Sequence, residues 1–374
     1  MQNVNGDAAS KKYIIETTGS GVAILDYDRD GWPDILLLNG RTLDGEPSPV
    51  AHPTNHLYRN NHDGTFKDVT AESGLTVAGW AQGVCVGDYD NDGYDDIYIT
   101  YYGKNRLYHN ERNGAFKEVA GPAGVSGNDG DGWPDIFKTN FSDDTSSLYQ
   151  NNRDGTFTAA IADAGLGLNT QYLGWGTMFV DVDNSGLLDI LIANGHVYPQ
   201  VDYAHLGSSY REPRLLYQNL GNGKFKDISK NAGPGCTKLA PSRGLAIADF
   251  WNEGRLSAVI NNIDEKPMLL VNVASNRNHW LGVVTQGTRS NRDGIGAQVT
   301  VVAGGRKWLQ EVRSGSSYIS SSDLRLHFGL GTTTAVDHIE VLWPNGEAEN
   351  FTADGIDRFI TLVEGSGSQK PAKQ

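Results

Sequence analysis

The chain has 374 residues, with 45 Asp and Glu against 31 Lys and Arg, a net charge of −14, and only two cysteines. A pI near 5.0 without a basic stripe argues against nucleic acid as a partner, and no apolar run is long enough for a membrane-spanning helix. The length allows a sizeable core, best divided into one large and one small domain.

In chain order, the first signal is Val22-Ala-Ile-Leu25, then an acidic loop with Asp26, Asp28, Asp30 and Asp34, then the apolar run Ile35-Leu-Leu-Leu38. The same unit returns with Asp88, Asp90, Asp92 and Asp96, then with Asp129, Asp131 and Asp135, then with Asp181, Asp183, Ser185 and Asp189. In the first two loops carboxylates fall at positions 1, 3, 5 and 9 and Gly at position 6. The third has Gly127 at position 1, and the fourth has Ser185 at position 5. Such spacing suits Ca²⁺: alternate residues aim oxygens into one hollow, Gly permits the sharp turn, and the last Asp closes the cage from the next strand. The carbonyls of Trp32 and Tyr94 are expected as further ligands. Hard oxygens, with neither thiolate nor imidazole, favour calcium over zinc. The loops hold 14 Asp, so the acidic residues elsewhere number 31 and balance the 31 basic ones. The acidity belongs to the sites.

Each loop is followed by a second motif: Leu57-Tyr-Arg-Asn60 to Asp63-Gly-Thr-Phe66, Leu107-Tyr-His-Asn110 to Asn113-Gly-Ala-Phe116, Leu148-Tyr-Gln-Asn151 to Asp154-Gly-Thr-Phe157, and Leu216-Tyr-Gln-Asn219 to Asn222-Gly-Lys-Phe225. Asp-Gly and Asn-Gly between β-prone runs are strong hairpin turns, so each repeat predicts a small antiparallel sheet. A worn fifth copy begins at Gly244 and Asp249, with Trp251 and Glu253 in place of ligand Asp, and no cation is expected there. Repeats that cannot bury both faces alone predict an all-β protein built on a β-propeller over residues 1–277. From Trp280 the acidic loops stop, which predicts a small β domain over 278–363 and a flexible tail over 364–374.

These motifs resemble the FG-GAP, or VCBS, repeats of integrin-α-like propellers. The later runs Asn291-Arg-Asp-Gly-Ile-Gly-Ala297, Gly315-Ser-Ser-Tyr-Ile-Ser320, Leu324-Arg-Leu-His-Phe-Gly-Leu-Gly331 and Val341-Leu-Trp-Pro-Asn-Gly346 look like the ASPIC/UnbV domain. The pairing resembles the cartilage acidic protein family. That resemblance implies about seven blades, calcium binding and a secreted protein, and it extends to bacterial products of enediyne clusters. The chain departs from the pattern before Asn128, where a strand and the first loop Asp are absent. Five blades are recognisable, so either residues are missing here or the propeller is truncated; the first is favoured, since a blade without its inner strand exposes unpaired edges.

Two classes of function follow. The leading one is a calcium-binding extracellular or periplasmic scaffold that recognises a protein or glycan through rim loops, its leader absent from this chain. The other is an enzyme, cytoplasmic if biosynthetic, or a lyase or hydrolase with a rim pocket. The rim candidates are His196, Tyr198, Asp202 and Arg211, in a segment that also holds His205 and Arg214. They serve either as a binding rim or as a packed inter-blade connection. A transition-metal cluster of His52, His56, His196 and His205 is a further alternative. Cys85 and Cys236 either pair or stay free.

Overall fold

A computed structural model describes residues 1–8, 11–42, 53–102, 105–119, 136–151, 156–204, 207–221, 223–275 and 277–369. Within these residues the chain is all-β, relieved only by four helices of four residues each. The first sheet runs β1 (Val22–Leu25), β2 (Asp34–Leu37), β3 (His56–Asn60) and β4 (Phe66–Asp68), and the second β5 (Ala81–Gly87), β6 (Asp96–Tyr101), β7 (Arg106–Asn110) and β8 (Phe116–Glu118). A three-stranded sheet follows from β9 (Ile136–Lys138), β10 (Ser147–Asn151) and β11 (Phe157–Ala159). The fourth holds β12 (Gly174–Val180), β13 (Asp189–Asn194), β14 (Leu215–Asn219) and β15 (Phe225–Asp227), and the fifth β16 (Ser242–Ala248), β17 (Ser257–Asn262) and β18 (Met268–Leu270). All five are antiparallel meanders in chain order, the arrangement the hairpin motifs predict. Between β3 and β4, His62 and Gly64 take φ of 64° and 86°, and the Asn61 amide donates to the Thr65 carbonyl at 3.0 Å.

Packing explains why the sheets come as a set. Side chains alternate across a strand, so β1 offers one face to each neighbour. Val22 and Ile24 pack with Ala246, Ala248 and Val259 of the fifth sheet, whereas Ala23 and Leu25 pack with Val84, Val86 and Ile97 of the second. Val180 and Leu191 of the fourth sheet join Leu245, Ala258 and Ile260 of the fifth, and Ile190 and Ile192 join Leu148 of the third. No blade completes a core by itself, which is the propeller principle. Against the seven or so blades the resemblance implies, five blade sheets stand among the described residues. The loop of Asp129, Asp131 and Asp135 lies outside them.

The rest forms two sheets around a second core. Strands β19 (His279–Gln286), β20 (Gln298–Ala303), β21 (Arg306–Glu311), β22 (Leu326–Gly331), β23 (His338–Leu342), β24 (Ala348–Phe351), β25 (Phe359–Val363) and β26 (Ser368–Gln369) assemble in the orders β22-β19-β25 and β21-β20-β23-β24-β26. Between them lie Trp343, Phe328, Val299 and Ile339, all buried. The sequence predicts a flexible tail from residue 364, and the structure differs. Glu364 is buried, its carboxylate accepts the amides of Thr288, Arg289 and Ser290, and β26 pairs with β24 as far as Gln369. Among the described residues no helix is long and apolar enough to cross a membrane.

Candidate metal centre

The connections β1–β2, β5–β6, β12–β13 and β16–β17 share one backbone geometry. Position 4 is left-handed in each, with φ of 58° at Arg29, 59° at Asn91, 56° at Asn184 and 51° at Asn252, and the Gly at position 6 is left-handed too. That second turn lets the Gly amide reach back to the first carboxylate: Gly31 to Asp26 at 2.9 Å, Gly93 to Asp88 at 2.6 Å, Gly186 to Asp181 at 2.7 Å, and Gly254 to Asp249 at 2.7 Å. A side chain in this conformation is strained, which is why Gly recurs there. The last Asp opens the following strand, as Asp34 of β2, Asp96 of β6 and Asp189 of β13. Its second oxygen accepts the position-2 amide of Tyr27, Tyr89 or Val182 at 3.1–3.3 Å.

Three triads of carboxylates converge with ligand atoms within 4.8 Å of one another: Asp26, Asp28 and Asp34; Asp88, Asp90 and Asp96; Asp181, Asp183 and Asp189. These are positions 1, 3 and 9. Position 5 behaves differently from the sequence expectation in the first two loops. Asp30 turns to the Trp32 amide and pairs with His62 at 2.8 Å, and Asp92 turns to the Tyr94 amide and pairs with Arg112 at 2.7 Å. Asp92 also forms a group with Asp90 and His109. At Ser185 the amide donates to Asp181 and Asp183. The expectation of a site free of imidazole is corrected at the second loop, where His109 Nδ1 stands 3.2 Å from Asp96. This His occupies the variable place of Leu-Tyr-x-Asn, on β7 beside β6, so pairing of strands brings it to the loop.

Burial decides the electrostatics. It pushes Asp26 up to about 6, Asp34 to about 9, Asp96 to about 6, Asp181 to about 7 and Asp189 to about 6, and raises Asp28 and Asp88. Neighbouring carboxylates add to each shift, while backbone amides offset part of it. Asp26 Oδ1 and Asp28 Oδ1 are buried with no hydrogen-bond partner. A buried carboxylate oxygen without a donor is costly, and a cation removes that cost. Two such oxygens in one all-oxygen hollow fit a hard divalent ion.

Sequence reading missed the Asn that ends each Leu-Tyr-x-Asn motif, although its recurrence at one offset was the signal. The amides of Asn60, Asn110 and Asn219 donate to the last Asp of their own loops at 2.7–2.8 Å. The side chains go further: Asn60 Nδ2 donates to the Phe250 carbonyl of the fifth sheet, and Asn110 Nδ2 to the Tyr27 carbonyl of the first. These two braces tie a loop to the adjacent blade, whereas Asn219 Nδ2 donates within its own loop, to the Leu188 carbonyl at 2.9 Å. Asn110→Ala should destabilise the fold by about 1–3 kcal/mol, because the Tyr27 and Asp95 carbonyls lose their buried donor. Denaturant unfolding measures this, and a change near zero would show the brace to be idle.

The rim candidates are held by separate partners. His196 is buried, its Nδ1 accepts the Tyr198 amide at 3.2 Å, and its carbonyl accepts Arg243 Nη2 at 2.9 Å. Asp202 accepts the Tyr210 amide at 2.8 Å, Arg211 pairs with Glu265, and Arg214 is buried against the Gly235 and Lys238 carbonyls. His56 pairs with Asp68 on β4. His52 and His205 lie outside the described residues, and no histidine cluster forms among those described. Cys85 and Cys236 are both free thiols.

The repeats match known families. Residues 26–99, 88–128 and 129–192 match the FG-GAP-like repeat, and residues 287–369 match the family described as ASPIC and UnbV. Cartilage acidic protein 1 of Homo sapiens is 26% identical over 446 aligned residues, covering 97% of this chain and 66% of its own length. Its counterpart from Mus musculus is 26% identical over 355 residues, covering 93% of this chain and 44% of its own. The chain therefore spans roughly half to two thirds of these curated relatives. A solved Agrocybe aegerita lectin that recognises non-reducing terminal N-acetylglucosamine is 15% identical over 67% of this chain and 65% of that chain, and its TM-score of 0.19 carries no argument. The chain thus carries FG-GAP-like repeats followed by an ASPIC and UnbV domain, the architecture of cartilage acidic protein 1.

Proposed function

We propose that this chain is a calcium-stabilised binding or scaffold propeller, acting outside the cytoplasm on a protein or glycan. The observation that carries the reading is the pair of orphaned buried oxygens on Asp26 and Asp28, inside a triad whose geometry two other loops repeat. The residues that would hold the ions are the three triads, and the carbonyls of Trp32 and Tyr94 are proposed to complete the first two sites. Calcium would supply charge neutralisation and a fixed loop. Its millimolar abundance outside cells matches the weak affinity, about 10⁻⁴–10⁻³ M, of many extracellular modules. Metal analysis of protein purified without chelator should find about one Ca²⁺ per described triad. Empty loops, or zinc in their place, would end the reading.

The contact surface is proposed at the end of the propeller opposite the acidic loops. There the chain leaves β6, β9 and β13, and it exposes Tyr102, Phe141, Tyr198 and Tyr203, the last at 82%. Exposed aromatics supply large contact area at low entropic cost, to a sugar ring or an apolar side chain. His196, Tyr198, Asp202 and Arg211 belong to this end; Tyr198, Asp202 and Arg211 are exposed, and of these Tyr198 is the one that can meet a ligand by a ring. The double variant Tyr198→Ala/Tyr203→Ala should weaken any ligand found by at least about tenfold, with melting unchanged, since hot-spot aromatics carry about 1.4 kcal/mol or more each. Full binding by that variant, read by titration against the ligand, would move the surface elsewhere.

A further inference from the structure

The small domain stands on the acidic-loop end of the propeller, and its grip follows one rule. In three loops the left-handed residue at position 4 is the handle. Asn91 Oδ1 accepts the Arg292 amide at 2.8 Å, Asn184 bonds His327 Nε2 through its side chain at 2.7 Å and accepts the Gly331 amide through its carbonyl at 2.8 Å, and Asn252 Oδ1 accepts Arg325 Nη1 at 2.7 Å. Further contacts fall on the same loops. Asp293 accepts the Asp88 amide at 2.7 Å, and Trp308 Nε1 donates to the Gly186 carbonyl at 3.1 Å.

The worn fifth loop keeps the same turn with fewer carboxylates. It has no second acidic ligand at position 3 or 5 beyond Glu253, and Arg325 lies against it, donating to the Asp249 carbonyl at 3.2 Å and to Asn252. Asp323 holds that guanidinium at 2.7 Å and the Phe359 ring lies 4.3 Å from it. The small domain thus brings a positive charge to the loop that lacks carboxylates at positions 3 and 9, and the same guanidinium reaches the Gly31 carbonyl of the first loop at 3.4 Å. The first, second and fourth loops keep carboxylates at positions 1, 3 and 9.

Between these grips, Ser314 to Asp323 enters the axis of the propeller. Ser321 bridges β1, its amide donating to the Val22 carbonyl and its carbonyl accepting the Ile24 amide, both at 3.0 Å. Ser320 Oγ accepts the Val22 amide, Ser317 Oγ the Thr177 amide of β12 at 3.1 Å, and Ser322 Oγ the Ile247 amide of β16 at 3.1 Å. Ile319 sits against Gly21 and Gly83, where a Cβ at Gly21 would collide with its carbonyl. Tyr318 meets the Trp175 ring edge-on at 5.0 Å. Four inner strands therefore place amide donors or bare glycines around one serine-rich segment, with Ser320, Ser321 and Ser322 all buried.

We propose that the small domain is a lid whose docking is set by the acidic loops: an ion held at positions 1, 3 and 9 fixes the loops on which the lid's contacts with Asn91, Asn184, Gly186 and the Asp88 amide are made, and release of the ions withdraws Ser314 to Asp323 from the axis. This rests on the calcium reading above. Asn tolerates the left-handed backbone, and Asn252 takes it in the loop where no cation is expected, so the turn itself does not depend on an ion. What an ion adds is relief of the repulsion among the clustered carboxylates of the other loops, which otherwise loosens them beneath the lid.

The test is hydrogen–deuterium exchange on the full chain, with metal content measured before and after EGTA. Expected is exchange faster by at least about tenfold in peptides covering 314–323 and 22–24, while β20 and β23 in the small-domain core stay protected, as local opening requires. Added Ca²⁺ should reverse it. Calcium removed with the axial segment still protected would overturn the lid and leave the calcium reading intact. Protein that carries no metal at the start would overturn both, and equal acceleration in β20 and β23 would show unfolding of the chain, which overturns the lid.

Discussion

Treatment with EGTA should lower the melting temperature by more than about 10 °C, and Ca²⁺ should restore it. A ligand that binds only the folded state stabilises it by about 3 kcal/mol at a hundredfold excess over its dissociation constant. Three described triads together then supply about 8 kcal/mol, and each kcal/mol moves the midpoint of a large domain by about 2–4 °C. The effect is large because each loop joins two strands of a core shared with its neighbours. Loss of the ion at Asp34 and Asp96 reaches Asn60 and Asn110, and through them the Phe250 and Tyr27 carbonyls of adjacent blades. Thermal melting followed by near-ultraviolet circular dichroism measures it, beside metal analysis. An unchanged midpoint in protein shown to be metal-free would deny the ions any share in folding.

The loops were legible because their chemistry is local. Position, turn glycine and closing Asp all lie within nine residues, and period-two apolar runs on either side give the strands. Position 5 was read less well, since the direction of Asp30 and Asp92 depends on His62 and Arg112, which arrive only when β3 and β7 pair beside the loop. The Asn braces recur in plain sight at Asn60, Asn110 and Asn219, yet the Phe250 and Tyr27 carbonyls that Asn60 and Asn110 reach sit in other blades. The docking of Arg325 on Asn252, or of Ser321 on β1, joins residues some 70 to 300 apart in the chain. Neither periodicity nor motif records that distance. The segment from His196 to Arg214 is rich in side chains that suit recognition, but burial of His196 and Arg214 is set by Arg243 and by the chain around Cys236, and composition does not show it.

Metal-free protein should be more stable at pH 5 than at pH 8, and calcium should invert that order. In the folded chain burial pushes Asp34 up to about 9, Asp181 to about 7, and Asp26, Asp96 and Asp189 to about 6, against an ordinary value of 3.8 for the unfolded chain. Between 3.8 and those values the folded state binds more protons than the unfolded one, so stability falls as pH rises through the window. A bound cation stabilises the ionised form, so the same carboxylates that oppose folding without it become its ligands, and the increment that Ca²⁺ adds should grow from pH 5 to pH 8. Asp34→Asn separates the two contributions. The amide keeps one acceptor for the Asn60 amide at the cost of the other, to Tyr27, and carries no charge to desolvate. In EGTA this variant should therefore lose less stability between pH 5 and pH 8 than the parent, while binding one calcium ion fewer. Denaturant midpoints at the two pH values, with and without Ca²⁺, decide the matter. If metal-free protein gained stability towards pH 8, the carboxylates would already be paired within the chain, and the oxygens of Asp26 and Asp28 would need no ion.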